Sequence, residues 1–217
     1  MSIPQRMRAE DLPPVVPVFA ISGAILLPGG TMPLMVFEPR YLALTDDALG
    51  AGRLFALVQP REGEDGVAPG LYDTGCLGRI TAFGETGDGR YLVTVAGLCR
   101  FRVSGEAEGR SGYRRVAADY GAYLGDLDGG DVGPVERRPL LAIVRTYLSG
   151  LGMATDLAQL EKAGDAELAI RLAMACPFSP EEKQVLLEAS DHAERCRLMT
   201  AMIQKELLAE TCSSSIH

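Results

Sequence analysis

The spacing of apolar residues changes near residue 120, and this change restricts the fold more than any other feature of the chain. Before it, apolar residues form short runs that are continuous or alternate with polar residues, which is typical of β-strands. Gly, Pro or Asp stands at nearly every junction, where chain reversals need such residues. About seven strands are predicted, over residues 15–21, 31–37, 54–59, 76–83, 91–97, 98–105 and 113–120. With one helix after the second strand, they predict a small, partly closed β-barrel.

Beyond residue 134 the apolar residues follow helical spacing instead. Ser179, Pro180 and Glu182 form the pattern of a capping box with proline at the first helical position, which predicts a helix start. Asp191 and Glu194 repeat the arrangement ahead of a longer helix. The apolar stripes of the first and last helices are Leu140, Val144, Tyr147, Leu148 and Leu151, and Cys196, Met199, Ile203 and Leu207.

The segment between the two patterns, residues 121–134, is rich in Gly and Asp and has no periodicity, so it is predicted to be a linker. We therefore expect three parts. Residues 1–120 form a barrel subdomain with one helix, 121–134 the linker, and 135–217 a helical subdomain.

Composition limits the class of protein. The 217 residues are 47% hydrophobic, which is enough to bury a core, but no run approaches the roughly 18 apolar residues of a membrane span. The first 14 residues carry charge and proline where a secretory signal would be apolar, so we expect a cytoplasmic protein. Its five dispersed cysteines form no C-x-x-C pair and are expected to be reduced. A net charge of −8 disfavours general binding to nucleic acid.

Several separated motifs resemble one known family. Residues 16–49, with a Pro-Gly turn and the sequence PLMVFEPRY, are similar to the opening of the Lon protease N-terminal domain family. The resemblance continues through LFALVQP, GCLGRI and GLCRFRV, which are similar to its successive barrel strands. It ends with PFSPEEKQVLLEASDHAERCRLM, which resembles its helical portion. These motifs occur in the family's order over nearly the whole chain.

The resemblance implies an α+β fold, with a PUA-like, partly closed β-barrel followed by a C-terminal α-helical bundle. It also implies a substrate-recognition role. The chain contains no G-x-x-x-x-G-K-[ST] loop and has no room for the ATPase and peptidase domains of a full Lon protease. We therefore expect a stand-alone relative of the recognition domain that is not an enzyme.

Glu38, Pro39 and Arg40 join an apolar strand to a helix, and two roles are open to them. Proline suits the first helical position, and a carboxylate is favourable near a helix N-terminus. Arg40 could lay its stem over the barrel and pair with a carboxylate. The favoured interpretation is thus a structural junction, and the alternative is that the pair lines a ligand groove.

Candidates for catalysis are few. Neither His192 nor His217 has an evident Ser or Cys partner, and a metal site built on both would need the last residue of the chain. The acidic loop at residues 61–66 does not have the spacing of a calcium site. Cys99 alternates within a strand, where a buried small side chain is expected. No catalytic residue, cofactor or metal is predicted.

A cluster of arginines supports an alternative function. Between Gly97 and Arg115, five Arg stand against two Glu, and PUA-type barrels include RNA binders. The interleaved aromatic residues are few, and neighbouring carboxylates such as Asp126 and Asp128 could neutralise the arginines. RNA binding through Arg100, Arg102, Arg110, Arg114 and Arg115 is therefore the second hypothesis.

Apolar residues supply the leading hypothesis. In TMPLMVF both alternating faces are hydrophobic, so the strand is either covered on both sides or leaves apolar surface available. We therefore expect a polypeptide-binding module that accepts unfolded or exposed segments, as an accessory to proteolysis or quality control with a protease as partner. The predicted contact residues are Met32, Leu34, Met35, Leu71 and Tyr72.

Overall fold

The computed structural model describes residues 7–61, 69–130, 133–153 and 157–214, without the side chains of 157–159 and 210–214. The chain divides into two units, Met1–Gly130 and Asp131–His217. Among the described residues, the first unit contains six strands, one α-helix and two short 3₁₀ helices, and the second contains five α-helices.

Strands and helices have the following bounds. The first unit comprises a 3₁₀ helix Ala9–Asp11, β1 Val15–Ala20, β2 Thr31–Val36, α1 Pro39–Gly50, β3 Leu54–Val58, β4 Thr74–Glu85, β5 Tyr91–Arg110, β6 Tyr113–Asp119 and a 3₁₀ helix Gly121–Asp128. The second comprises α2 Arg137–Gly150, α3 Leu157–Lys162, α4 Asp165–Ala175, α5 Pro180–Glu188 and α6 His192–Ser214.

Five strands close into a ring. Strand β5 pairs with β4, β4 with β3, β3 with β1, and β1 with β6. The ring closes because β6 also pairs with the second half of β5. Strand β2 lies outside this ring and pairs only with the first half of β5 among the residues the structure describes. The predicted α+β fold, a PUA-like barrel followed by C-terminal helices, is confirmed.

The core of the barrel lies inside this ring. It is built from buried side chains that include Val16, Val18, Leu77, Phe101 and Val116. Each strand contributes alternate residues to one face, so the apolar positions predicted from the period of two fill the interior.

One predicted strand boundary is wrong. Residues 91–97 and 98–105, which the sequence predicts as two strands, belong to the single strand β5, and the chain continues without a break at Gly97. A Cβ atom at Gly97 would lie 2.1 Å from the carbonyl oxygen of Leu27, so glycine is required because two backbones approach closely, not because the chain turns.

The second unit contains the predicted helices. Leu140, Val144, Tyr147 and Leu148 are buried on α2, whereas Leu151 lies beyond its last residue and is 43% exposed. The capping box at Ser179 and Glu182 is present at the start of α5. On α6 the predicted seam is buried at Cys196, Met199 and Ile203.

Residues 121–128, part of the predicted linker, form a 3₁₀ helix that belongs to the barrel unit. Asp126 of this helix accepts hydrogen bonds from the backbone and side chain of Arg100 on β5. The boundaries of the three predicted parts stay predictions. None of the helices described here combines the length and apolar character needed to cross a membrane.

Candidate functional site

Strand β2 has one covered face and one open face. Leu34 and Val36 point inward and are 9% and 1% exposed, with Met32 half-buried beside them. Thr31, Pro33 and Met35 alternate with these residues and are exposed. The sequence showed that both faces are apolar, and the structure shows that only one of them is covered.

Apolar side chains lie together on the open face. Met35 on β2 stands directly opposite Leu92 on β5, and the two are 53% and 49% exposed. Phe37, just beyond the end of β2, is 62% exposed. Pro33, Met35, Phe37 and Leu92 are called here the outer apolar surface. Gly84 on β4 stands opposite Leu92, so the surface is bordered there by bare backbone.

A charged side chain borders this surface at the β4–β5 hairpin. The Arg90 guanidinium lies 3.7 Å from the Met35 sulfur, and its Nε atom lies 3.1 Å from Asp88 Oδ2. The ring of Phe83 is also 40% exposed, but it stands opposite Val93 and contacts Tyr91 edge-on, with ring centroids 5.0 Å apart. The register therefore places Phe83 on the other face of the sheet.

The predicted contact residues do not form one group. Met35 belongs to the outer apolar surface, whereas the Leu34 side chain is part of the packed interior. Leu71 pairs with Pro60 beyond the end of β3 and packs on the barrel core, and the neighbouring Tyr72 is half-buried below the guanidinium of Arg61. Since β4 and β5 separate β3 from β2 in the sheet, these last two residues lie on a different part of the barrel.

At the junction, Pro39 is the first residue of α1 and Glu38 precedes it as the N-cap residue. Arg40 pairs with Glu38, with an Nη2 to Oε2 distance of 2.7 Å, and both side chains are about half exposed. An exposed pair of this kind contributes roughly 0–1 kcal/mol to stability. The expected pairing of Arg40 with a carboxylate is present, but it is a surface contact.

Tyr41 is the residue of this motif that sequence reasoning missed. Its hydroxyl donates to the carbonyl of Ala20 at 2.9 Å and accepts from the Ala20 N–H at 3.2 Å. Its ring stacks on Phe19 with centroids 4.0 Å apart, and burial raises the pKa of the hydroxyl. Tyr41 therefore fastens α1 to the end of β1. In the sequence, the feature that could have indicated this role is an aromatic residue in the first turn of an amphipathic helix, directly after a charged pair.

The arginines of the second hypothesis are largely paired with carboxylates. Arg100 and Asp126 form a bidentate pair, with both N–O distances 2.9 Å and side chains only 8% and 7% exposed. Burial lowers the pKa of Arg100, but the hydrogen bonds and charge of Asp126 more than offset that effect, so the pKa is raised. Arg110 pairs with Asp47.

Arg114 is engaged as well. It pairs with Glu106 and donates to the carbonyl of Pro69 at 2.7 Å. These contacts leave a weaker positive surface than the sequence indicates, because opposite charges at contact distance cancel most of each other's field.

The thiols of Cys76 and Cys99 and the ring of His192 are buried. Burial raises the pKa of the Cys76 thiol and raises that of Cys99 to about 12, so both are protonated near neutral pH. His192 is buried, and its Nδ1 lies 2.9 Å from an Arg195 nitrogen, so that ring nitrogen accepts a hydrogen bond. Within the described residues no three His, Cys, Asp or Glu side chains are placed to hold a metal ion. His217 and most of the acidic loop at 61–66 lie outside the described residues.

Residues 15–205 match the family model of the ATP-dependent protease La (LON) substrate-binding domain. Lon protease 2 of Thermus thermophilus is 28% identical over 214 residues, covering 92% of this chain and 25% of that relative. Lon protease 2 of Myxococcus xanthus is 35% identical over 105 residues, covering 48% and 13%. The chain thus spans a quarter or less of these curated relatives.

Two solved structures share the fold. The Lon N-terminal domain protein from Xanthomonas campestris is 26% identical with a TM-score of 0.58, and the match covers 86% of this chain and 97% of that one. The N-terminal domain of the Mycobacterium avium complex Lon protease is 20% identical with a TM-score of 0.54, covering 88% and 98%. The family match extends from β1 well into α6, so this chain belongs to the Lon substrate-binding domain family.

Proposed function

We propose that the protein recognises exposed apolar segments of polypeptide chains and binds them without chemical change. The observation that carries this proposal is the outer apolar surface, where Met35, Phe37 and Leu92 are each about half exposed or more. Large apolar side chains grouped on an open face favour a partner that covers them. The flexible thioether of Met35 suits a site that accepts varied sequences.

A non-enzymatic role is supported by the described side chains. The buried thiols are protonated, His192 is engaged by Arg195, and the family match is to a substrate-binding domain. The curated relatives are proteases of which this chain spans a quarter or less. We therefore propose that the protein is cytoplasmic and acts as an accessory to proteolysis or quality control, presenting bound segments to a protease.

The test is a titration with a permanently unfolded polypeptide, such as fluorescently labelled, reduced and carboxymethylated lactalbumin. The double variant Met35→Ser/Leu92→Ser should bind more weakly by about 1–2 kcal/mol, or roughly five- to thirtyfold in Kd, since it removes partly exposed apolar contacts. Leu208→Ser is the matched control, because Leu208 is 67% exposed on α6 in the other unit. This control should bind like the parent protein.

The same titration separates the two hypotheses by their salt dependence. Burial of apolar side chains should change little between low and high salt, whereas binding through arginines to RNA phosphates should weaken steeply. A labelled single-stranded RNA is therefore titrated in parallel. Tight, salt-sensitive RNA binding without polypeptide binding would replace the proposed function with the RNA-binding alternative.

A further inference from the structure

We propose that the bound segment adds to the barrel as an extra antiparallel strand along the free edge of β2. This inference rests on the proposed function and specifies how the polypeptide is held. Strand β2 pairs with β5 on one side only, within the part of the chain that the structure describes. An unpaired strand edge offers a row of backbone donors and acceptors, which is the chemistry that recognises an extended polypeptide.

The register identifies the backbone groups that face this edge. The Gly97 N–H donates to the carbonyl of Gly30 at 2.9 Å, so the Gly30 carbonyl faces β5, whereas the Gly30 N–H bonds to the Leu27 carbonyl. In an antiparallel ladder the residues that direct their backbone groups to the partner strand alternate, so Met32, Leu34 and Val36 direct theirs to β5. Thr31, Pro33 and Met35 direct theirs to the free edge.

Pro33 fits this assignment independently. Proline has no N–H to give to a ladder, and within sheets it is confined to positions where the missing donor is not needed. Its place between Met32 and Leu34 is therefore compatible with pairing to β5 only if its nitrogen faces away from β5. The free edge then offers two donors, on Thr31 and Met35, and three carbonyl acceptors.

The side chains next to this edge define the segment that fits it. Residues of an added strand that pair with Thr31, Pro33 and Met35 place their side chains on the same face as these three, beside Met35 and across from Leu92. The preferred segment is therefore extended, with apolar residues at alternate positions. Because the added strand is antiparallel, the apolar residues are also those whose own backbone groups bond to β2.

The experiment uses a short labelled peptide with alternating apolar and serine residues, and two isomers of it that carry backbone N-methyl groups. In the first isomer the methyl groups are on the apolar residues, and in the second on the serines. The added strand predicts that the first isomer binds at least about tenfold more weakly than the second, because its methyl groups replace the donors that face β2. Both isomers carry the same number of methyl groups, so general effects on peptide shape cancel.

Each outcome decides the matter. A large difference in the stated direction supports strand addition. Equal binding by the two isomers, or weaker binding by the second, would overturn it, and the proposed function would stand. Failure of the parent peptide to bind while the unfolded lactalbumin binds would also overturn strand addition alone. Failure of both to bind would overturn this inference together with the proposed function.

A variant of the protein gives an independent measurement. Pro33→Val supplies the missing edge donor, so the parent peptide should bind about two- to tenfold more tightly, as expected for one added hydrogen bond. Pro69→Val, at an exposed proline outside β2, is the control and should leave the affinity unchanged. Unchanged or weaker binding by the correctly folded Pro33→Val variant would contradict strand addition.

Discussion

Replacing Tyr41 with phenylalanine should measure how firmly α1 is held on the barrel. The change keeps the ring, which is 4% exposed and stacked on Phe19, and removes only the hydroxyl that both donates to and accepts from Ala20. Each lost hydrogen bond contributes roughly 0.5–1.5 kcal/mol net. Because Ala20 is only half-buried, water can reach part of its freed backbone, so we expect the total loss to be about 1–2 kcal/mol.

The assay is urea unfolding followed by circular dichroism, because the chain contains no Trp to serve as a fluorescent probe. The matched control is Tyr72→Phe, at a half-buried tyrosine for which the described residues supply no hydroxyl partner. That control should change the free energy of unfolding by less than about 0.5 kcal/mol. If Tyr41→Phe were as mild as the control, the view that this hydroxyl fastens α1 to β1 would be refuted.

Two further predictions concern buried charges. Arg100→Met should destabilise the barrel unit by about 3–5 kcal/mol because it leaves Asp126 buried without its partner. The double variant Arg100→Met/Asp126→Leu should recover only part of that loss in urea unfolding, because it removes the buried charge but also the acceptor of the residue-100 backbone N–H. Lys183 is 3% exposed and donates to the carbonyls of Ala173 and Met174, and burial lowers its pKa to about 8 from an ordinary value of 10.5. The folded state therefore loses this proton before the unfolded state does. The stability of the parent protein relative to Lys183→Met should thus rise as the pH increases from 8 to 10.5, and a flat or falling difference would contradict the shift.

Local patterns predicted most of the strands and helices because those elements depend on neighbours in the sequence. The capping box at Ser179 and the stripe on α2 are examples, since each is complete within one or two helical turns. The predicted strand end at Gly97 is wrong because glycine can mark either a turn or a close backbone approach. Only the position of Leu27, 70 residues earlier in the numbering, distinguishes the two cases.

The candidate site could be predicted only in part, because it depends on pairing between distant strands. The alternation in TMPLMVF correctly separates Met35 from Leu34, but it does not say which face the barrel covers. Leu92 enters the surface solely through its register opposite Met35, which no local pattern of the sequence contains. The sequence predicts the pairing of Arg100 with Asp126 as one possibility, but only the fold shows that the pair is almost completely buried.

The closed ring of five strands has a consequence for how such a protein can diverge. Since β2 lies outside the ring, substitutions at exposed positions such as Pro33, Met35 and Phe37 leave the packed interior untouched. Surface substitutions of this kind usually change stability by less than about 0.5 kcal/mol. Under the proposed function, the exposed side of β2 can therefore change which segments are bound while the barrel is kept as one scaffold.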